Sequence, residues 1–163
     1  MIGILQRRTI EAEFAKAILA EFAAELGEAR AREILSRAVV KLATQAAEKF
    51  AAEADPDKTP IENFAAIQHL WTMDDALRIE VIEQTDTRFD FNVTRCRYAE
   101  TYRAMGIGEL SAVLSCNRDG AFCEGFHKDL KLTRTQTIAG GAPFCDFRYR
   151  LAPTAEASAP PRR

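Results

Sequence analysis

Apolar residues in the first part of the chain recur at helical spacing. Ile10, Phe14, Ile18 and Phe22 follow one another every four residues, with Ala17 and Leu26 on nearly the same face. They predict a helix over about 9–26, with Thr9 as cap and Glu11 and Glu13 in its first turn. Gly27 ends or bends it. A second helix is predicted over about 28–54. Its apolar stripe is Ile34, Leu35, Ala38, Val39, Leu42, Ala46 and Phe50, and its many alanines favour helix and close packing. Pro56 and Pro60, among aspartates, mark a loop. A third helix over 60–73 begins with Thr59 as cap and Pro60 at the first helical position. Phe64, Ile67 and Trp71 form its stripe and Gln68 is that stripe's polar member, whereas His69 points away from it.

The period then drops to two. Leu77, Ile79 and Val81 alternate with Arg78 and Glu80, and Phe89, Phe91 and Val93 alternate with Arg88, Asp90, Asn92 and Thr94. Thr85-Asp86-Thr87 joins the two runs, which predicts a β-hairpin over 77–83 and 88–94 with one wet face. Short helices are predicted over 96–104 and 109–115, and Asn117-Arg118-Asp119-Gly120 has the composition of a turn. Residues 121–129 fit no single period. Strands over 131–138 and 144–151, with Gly140-Gly141 between them, predict a second hairpin. Two hairpins that share an antiparallel sheet, linked by short helices and covered by N-terminal helices, make an α+β fold. Residues 1–151 are expected to form one domain, and 152–163, with Pro153, Pro160, Pro161 and terminal arginines, a disordered tail.

Composition narrows the classes of function. The 163 residues suit one domain, and 47 % hydrophobic with 28 % charged residues is an ordinary soluble balance. A net charge of −2 offers no basic excess for a phosphate backbone, so no nucleic-acid partner is expected. No apolar run approaches the roughly 18 to 20 residues needed to span a bilayer. Residues 1–8 lack the charged-then-apolar pattern of an export leader, so a cytoplasmic location with reduced thiols is expected for the four cysteines. The Ala-rich helices also offer a surface for pairing with a second copy of the chain.

Chemistry concentrates between Phe91 and Arg150, which holds Cys96, Cys116, Cys123, Cys145 and His127. A thiol nucleophile needs help to reach the thiolate and a place for developing charge. Cys116 precedes Asp119 by three residues, a spacing that suits an acid or base beside a thiol and equally a helix stop before a turn. Cys145 follows Gly140-Gly141 but shares a face with Phe147 and Tyr149, as a buried core cysteine would. Cys96 stands at a helix start, where thiol acidity rises. Cys123 and His127 lie in the unassigned segment, and Arg95, Arg97 and Arg134 could pair a substrate carboxylate. There is no CxxC or HxxxH, so a zinc site would need Cys96, Cys116, Cys145 and Asp119 or His127 to converge from afar. Nucleotide-loop and GxSxG patterns are missing.

The run Phe91-Asn92-Val93-Thr94-Arg95-Cys96-Arg97-Tyr98-Ala99-Glu100 is followed by Met105-Gly106 and by Leu114-Ser115-Cys116-Asn117-Arg118-Asp119. Residues Leu132 to Ile138 and Gly140 to Phe147, ending in Cys145-Asp146-Phe147, complete the set. Together they resemble the L-2-amino-thiazoline-4-carboxylic acid hydrolase family over about residues 65–151. The layout is also similar to 4-vinyl-reductase-type ligand-binding domains, some of which bind zinc through cysteines and a glutamate. Thr137 stands here where a second cysteine is expected before Cys145, which favours a thiol enzyme or a metal-free pocket.

The first resemblance implies a hydrolase that opens a cyclic C–N bond of a small amidine or amide, in the named case yielding N-carbamoyl-cysteine, without a cofactor. Cys116 or Cys145 would attack, Asp119 would move the proton with His127 assisting, and Arg95 or Arg134, near Cys96, would hold the substrate carboxylate. The second implies a non-catalytic sensor of a small molecule, lined by Phe64, Trp71, Phe126, Phe144 and Tyr149, with or without a cysteine zinc site.

Overall fold

A computed structural model describes residues 2–152, so the proposed tail lies, apart from Ala152, outside the described residues. Two long helices lead: α1 (Ile4–Leu26) and α2 (Glu28–Ala52), hinged at Gly27, whose φ of 81° is left-handed. Helix α3 (Pro60–Ala66) starts with a capping box in which Thr59 Oγ1 accepts from the Glu62 N–H and Glu62 accepts from the Thr59 N–H. The helix expected over 60–73 is broken. After Ala66 the backbone tightens to three-residue hydrogen bonds (Gln68 N to Ala65 O, Leu70 N to Ile67 O, Trp71 N to Gln68 O) before a short α4 (His69–Thr72). His69 is exposed, and Gln68 is buried, as is Phe64 of the stripe, while Ile67 and Trp71 are half-buried.

Strands β1 (Leu77–Gln84) and β2 (Arg88–Cys96) form the expected hairpin. Helix α5 (Arg97–Ala104) follows, then a 3-10 turn (Gly108–Leu110), a π-helical turn (Ala112–Cys116) and α6 (Asn117–Phe126). Strands β3 (Leu130–Thr133) and β4 (Cys145–Leu151) complete one antiparallel sheet in the order β1-β2-β4-β3. Helices cover one face of that sheet, so the α+β architecture expected from the sequence is the one observed.

The buried sheet face follows from alternation and register. Val93 pairs with Cys145, Phe91 with Phe147 and Phe89 with Tyr149, and all six are buried. Phe91 and Phe147 stack with ring centroids 4.9 Å apart. Phe64, Phe122 and Phe126 bring the helices onto this layer, Phe64 lying 4.7 Å from the Tyr149 ring. A second cluster, Ala12, Val39, Tyr98, Tyr102, Ile107, Leu110 and Leu114, joins α1 and α2 to α5 and the π segment.

The long helices bury different faces from those their strongest residues suggest. On α1, Ile10, Phe14, Phe22 and Leu26 are exposed, and the helix docks through Ala12, flanked by Ile4, Leu5, Ala15 and Leu19. On α2, Ala31, Val39, Ala43 and Ala47 are buried while Leu42 faces solvent. Small residues decide both dockings because they let backbones approach. Gly125 of α6 shows how closely: a Cβ there would meet the Thr44 carbonyl oxygen at 3.0 Å and its Cα at 3.1 Å. Gly125→Val is therefore expected to lower the unfolding free energy by about 1–3 kcal/mol, a loss that denaturant titration would measure.

Candidate functional site

Three irregularities of the backbone build the site. The first is a β-bulge. Ile79 pairs with Val93 but Arg78 pairs with Arg95, so Thr94 is an extra residue on β2. Beyond it the faces exchange: Cys96, opposite Leu77, turns toward the core, and Arg95 turns out. There Arg95 Nε and Nη2 donate to Glu100 at 2.8 and 3.0 Å, and Nη1 donates to Asp75 at 2.9 Å. The bulge thus separates Arg95 from Cys96, and both faces of its guanidinium fork are already taken by surface carboxylates.

The second irregularity is the π turn over Ala112–Cys116, which runs directly into α6. The segment expected as a helix over 109–115 is helical, though as 3-10 and π turns, whereas the turn expected at Asn117-Arg118-Asp119-Gly120 is the start of α6. Burial of Phe122, Cys123 and Phe126 against α2 outweighs the turn preference of Asn, Asp and Gly. Asp119 therefore lies on the first turn of α6, three residues from Cys116 and on the same side of the helix. A π turn shifts the hydrogen-bond ladder by a residue, and side chains serve the carbonyls at this one. Arg118 Nε donates to the Leu114 carbonyl at 2.8 Å, and Arg134 Nη2 donates to the Cys116 carbonyl at 3.1 Å.

The third is the early end of β3. The strand expected over 131–138 stops at Thr133, because the chain beyond is tied by side chains rather than by the sheet. Asp146 accepts from the backbone N–H groups of Thr135 and Gln136, at 2.9 and 2.8 Å. The Ile138 N–H donates to Cys145 Sγ at 3.2 Å. Arg134 is freed to reach inward. It pairs with Asp119, and its guanidinium lies 5.0 Å from the centroid of the Phe147 ring.

Asp119 is the electrostatic centre. Its side chain is 34 % accessible but closely surrounded by protein atoms. Burial pushes its carboxyl up to about 6, against the opposing pull of Arg134, Arg118 and Arg8. Burial also dominates at the thiols, pushing Cys116 up to about 12 and Cys96 up to about 11, with Cys145 raised as well. The Asp119 charge adds to the rise at all three. Cys96, Cys116, Cys145, Asp119 and Arg134 are thus within electrostatic reach of one another, and all the cysteines are free thiols. The helix-start effect expected to acidify Cys96 is outweighed by its burial. Among the described residues no three His, Cys, Asp or Glu side chains converge as metal ligands do.

His127 is not part of this group. It follows the last residue of α6, about 12 Å along the axis from Asp119. Its Nδ1 accepts from the Asp129 N–H at 3.2 Å, and it lines an open groove of about 650 Å³ between α2 and α6 with Thr44 and Glu48. That groove is lined by none of the four cysteines, so the chemistry points to the thiols and carboxyl around Asp119. Sequence reasoning missed Arg8 and Arg118. Arg118 stands inside the Cys-Asn-Arg-Asp phrase, but only the helix across Asn117–Phe126 reveals that it turns inward.

The solved structures that resemble this fold are diverse. The phenol-responsive sensory domain of the transcription activator PoxR, solved with phenol, superposes with a TM-score of 0.56 at 13 % identity over 83 % of this chain and 71 % of that one. A trafficking protein particle complex subunit 3 from Naegleria fowleri, covalently bound to palmitic acid, gives 0.52 at 10 % identity over 90 % and 96 %. No curated protein matches the sequence. No helix among the described residues is long and apolar enough to cross a membrane. The model of the L-2-amino-thiazoline-4-carboxylic acid hydrolases matches residues 7–149, which spans the bulge, the π turn and the whole thiol cluster, and the chain belongs to that family.

Proposed function

We propose that the protein hydrolyses a small cyclic amidine bearing a carboxylate, of the 2-amino-thiazoline type, with Cys116 as nucleophile and Asp119 as the group that moves the proton. The observation that carries this reading is Asp119 itself: a carboxyl with a pKa of about 6, three residues from a thiol and held by Arg134. Family membership supports hydrolysis as the reaction class.

The atom balance fixes the bond that opens. The product N-carbamoyl-cysteine keeps the ring nitrogen on the carbamoyl carbon, so the ring bond broken is that carbon's bond to sulfur. The C–N opening suggested by the family's cyclic-amidine chemistry would place the carbamoyl group on sulfur instead. The steps follow. Cys116 is a neutral thiol at neutral pH, because burial holds its pKa near 12, and it attacks the carbon between the ring heteroatoms as Asp119 takes its proton. Asp119 returns that proton to the departing ring sulfur. The intermediate is an S-linked isothiourea on Cys116. Water then adds to the same carbon, again losing a proton to Asp119, and Cys116 leaves as the thiol. One water is consumed, and a free thiol appears on the product.

Arg134 is a positioning residue here: its bonds to Asp119 and to the Cys116 carbonyl hold base and nucleophile in one geometry. Cys145 shapes the wall through its bond from the Ile138 N–H. His127 and Arg95 remain outside these steps for the reasons of position and pairing given above.

The pH profile tests the role of Asp119. A base must be ionised to work, so kcat/KM is expected to rise about tenfold per pH unit below an apparent pKa of about 6 and to level off above it. A profile flat from pH 5 to 8 would remove Asp119 from the reaction. The non-catalytic alternative, a sensor of an aromatic small molecule, draws on the fold shared with the phenol-responsive domain. It predicts saturable binding of phenols without any thiol release from thiazolines.

A further inference from the structure

Near the Cys116–Asp119 pair lies a second ionic group, centred on the 40 % exposed Glu11. Arg8 from α1 and Arg118 from α6 converge on Glu11 of α1. Both donate to the same oxygen, Glu11 Oε2, Arg118 Nη2 doing so at 3.3 Å. Their side chains are 17 % and 16 % exposed, and arginine is rarely so buried without full pairing. Arg7, the third cation at Glu11, is 67 % exposed and solvated. The low-exposure cations Arg8, Arg118 and Arg134 are thus met by two partly exposed carboxylates, Glu11 and Asp119, which leaves one positive charge in surplus. A partly buried surplus charge is costly unless an anion joins it.

The donors are also incompletely used. Arg118 Nε is fixed on the Leu114 carbonyl and Nη2 on Glu11, while Nη1 has no acceptor among the described residues, and neither have Nε and Nη2 of Arg8. By contrast, Arg95 is fully paired at the surface, and Arg134 is engaged by Asp119 and the Cys116 carbonyl. Arg118 is the residue next to Asp119, and both Arg118 and Arg8 act on the Asp119 carboxyl electrostatically. A small ring held at Cys116 and Asp119 therefore lies in the field of both guanidiniums.

We infer that Arg118, assisted by Arg8, receives the substrate's carboxylate and selects acidic over uncharged rings, with Glu11 positioning both guanidiniums. This inference rests on the hydrolase reading for the identity of the ring, but its test does not require turnover. Binding of thiazolidine-4-carboxylate and of uncharged thiazolidine to the full chain is measured by calorimetry, for the wild type and for Arg118→Gln, Arg118→Lys and Arg8→Gln. The wild type is expected to prefer the carboxylate by about 30-fold or more. Arg118→Gln and Arg8→Gln should each remove about tenfold of that preference without changing affinity for thiazolidine, and Arg118→Lys should retain part of it. Arg8, on the opening turns of α1, gives a reading even where substitution at the π turn perturbs folding. A preference unchanged in both glutamine variants, no preference in the wild type, or no binding of either ring would overturn the assignment. Carboxylate-dependent binding without hydrolysis of a 2-amino-thiazoline would instead reject the hydrolase reading and leave the anion site standing.

Discussion

Asp119→Asn is expected to lower kcat by about 10²- to 10⁴-fold. Asparagine keeps the volume and can still accept a hydrogen bond from Arg134, so the site should keep its shape. What it lacks is the ability to take a proton from Cys116 and return it to the ring sulfur. The substitution removes a carboxyl held near 6 by burial, so residual activity should also lose its dependence on pH around that value. This second readout matters because removing one partner of a buried ion pair perturbs stability as well. A slow variant with the wild-type pH profile would mean that Asp119 only supports the structure.

Cys116→Ala is expected to reduce turnover by about 10³-fold or more while the protein remains folded. Cys116 is only partly buried, so losing its sulfur leaves little cavity, and the π turn is held by Arg118 and Arg134 through backbone carbonyls that the substitution leaves in place. Cys145→Ala should behave differently. Its sulfur accepts the Ile138 N–H, and its side chain packs opposite Val93. Its loss should loosen the segment before Gly140 and lower activity partially. Steady-state kinetics and circular dichroism on the two variants separate these outcomes, and full activity in both would end the thiol mechanism.

Much of the fold could be read along the chain because alternation survives burial on one sheet face. Phe89, Phe91 and Val93 against Asp90 and Asn92, and Cys145, Phe147 and Tyr149 against Asp146 and Arg148, declare both inner strands. The helix faces were less legible. The largest side chains of α1 suggested its buried stripe, but Ala12 does the docking, since close approach depends on small residues and periodicity weights large ones. Of the site, Cys116, Asp119, Cys96, Cys145 and Arg134 were visible as chemical types. Their convergence depends on a bulge at Thr94, a π turn before Asn117 and a strand that ends at Thr133. Each is a local departure from regular pairing that composition does not signal. The same departures set two candidate residues apart from the cluster: the bulge turns Arg95 outward, and the continuous helix carries His127 away from Asp119.

The most direct measurement is the release of thiol from 2-amino-thiazoline-4-carboxylate by the purified protein, followed with a chromogenic thiol reagent. Opening of the ring carbon–sulfur bond predicts one new thiol per substrate consumed, through many turnovers, at a rate proportional to wild-type enzyme and nearly absent with Asp119→Asn. A wild-type protein that releases no thiol at any pH from 5 to 8, or an Asp119→Asn variant that releases it at the wild-type rate, would contradict the account.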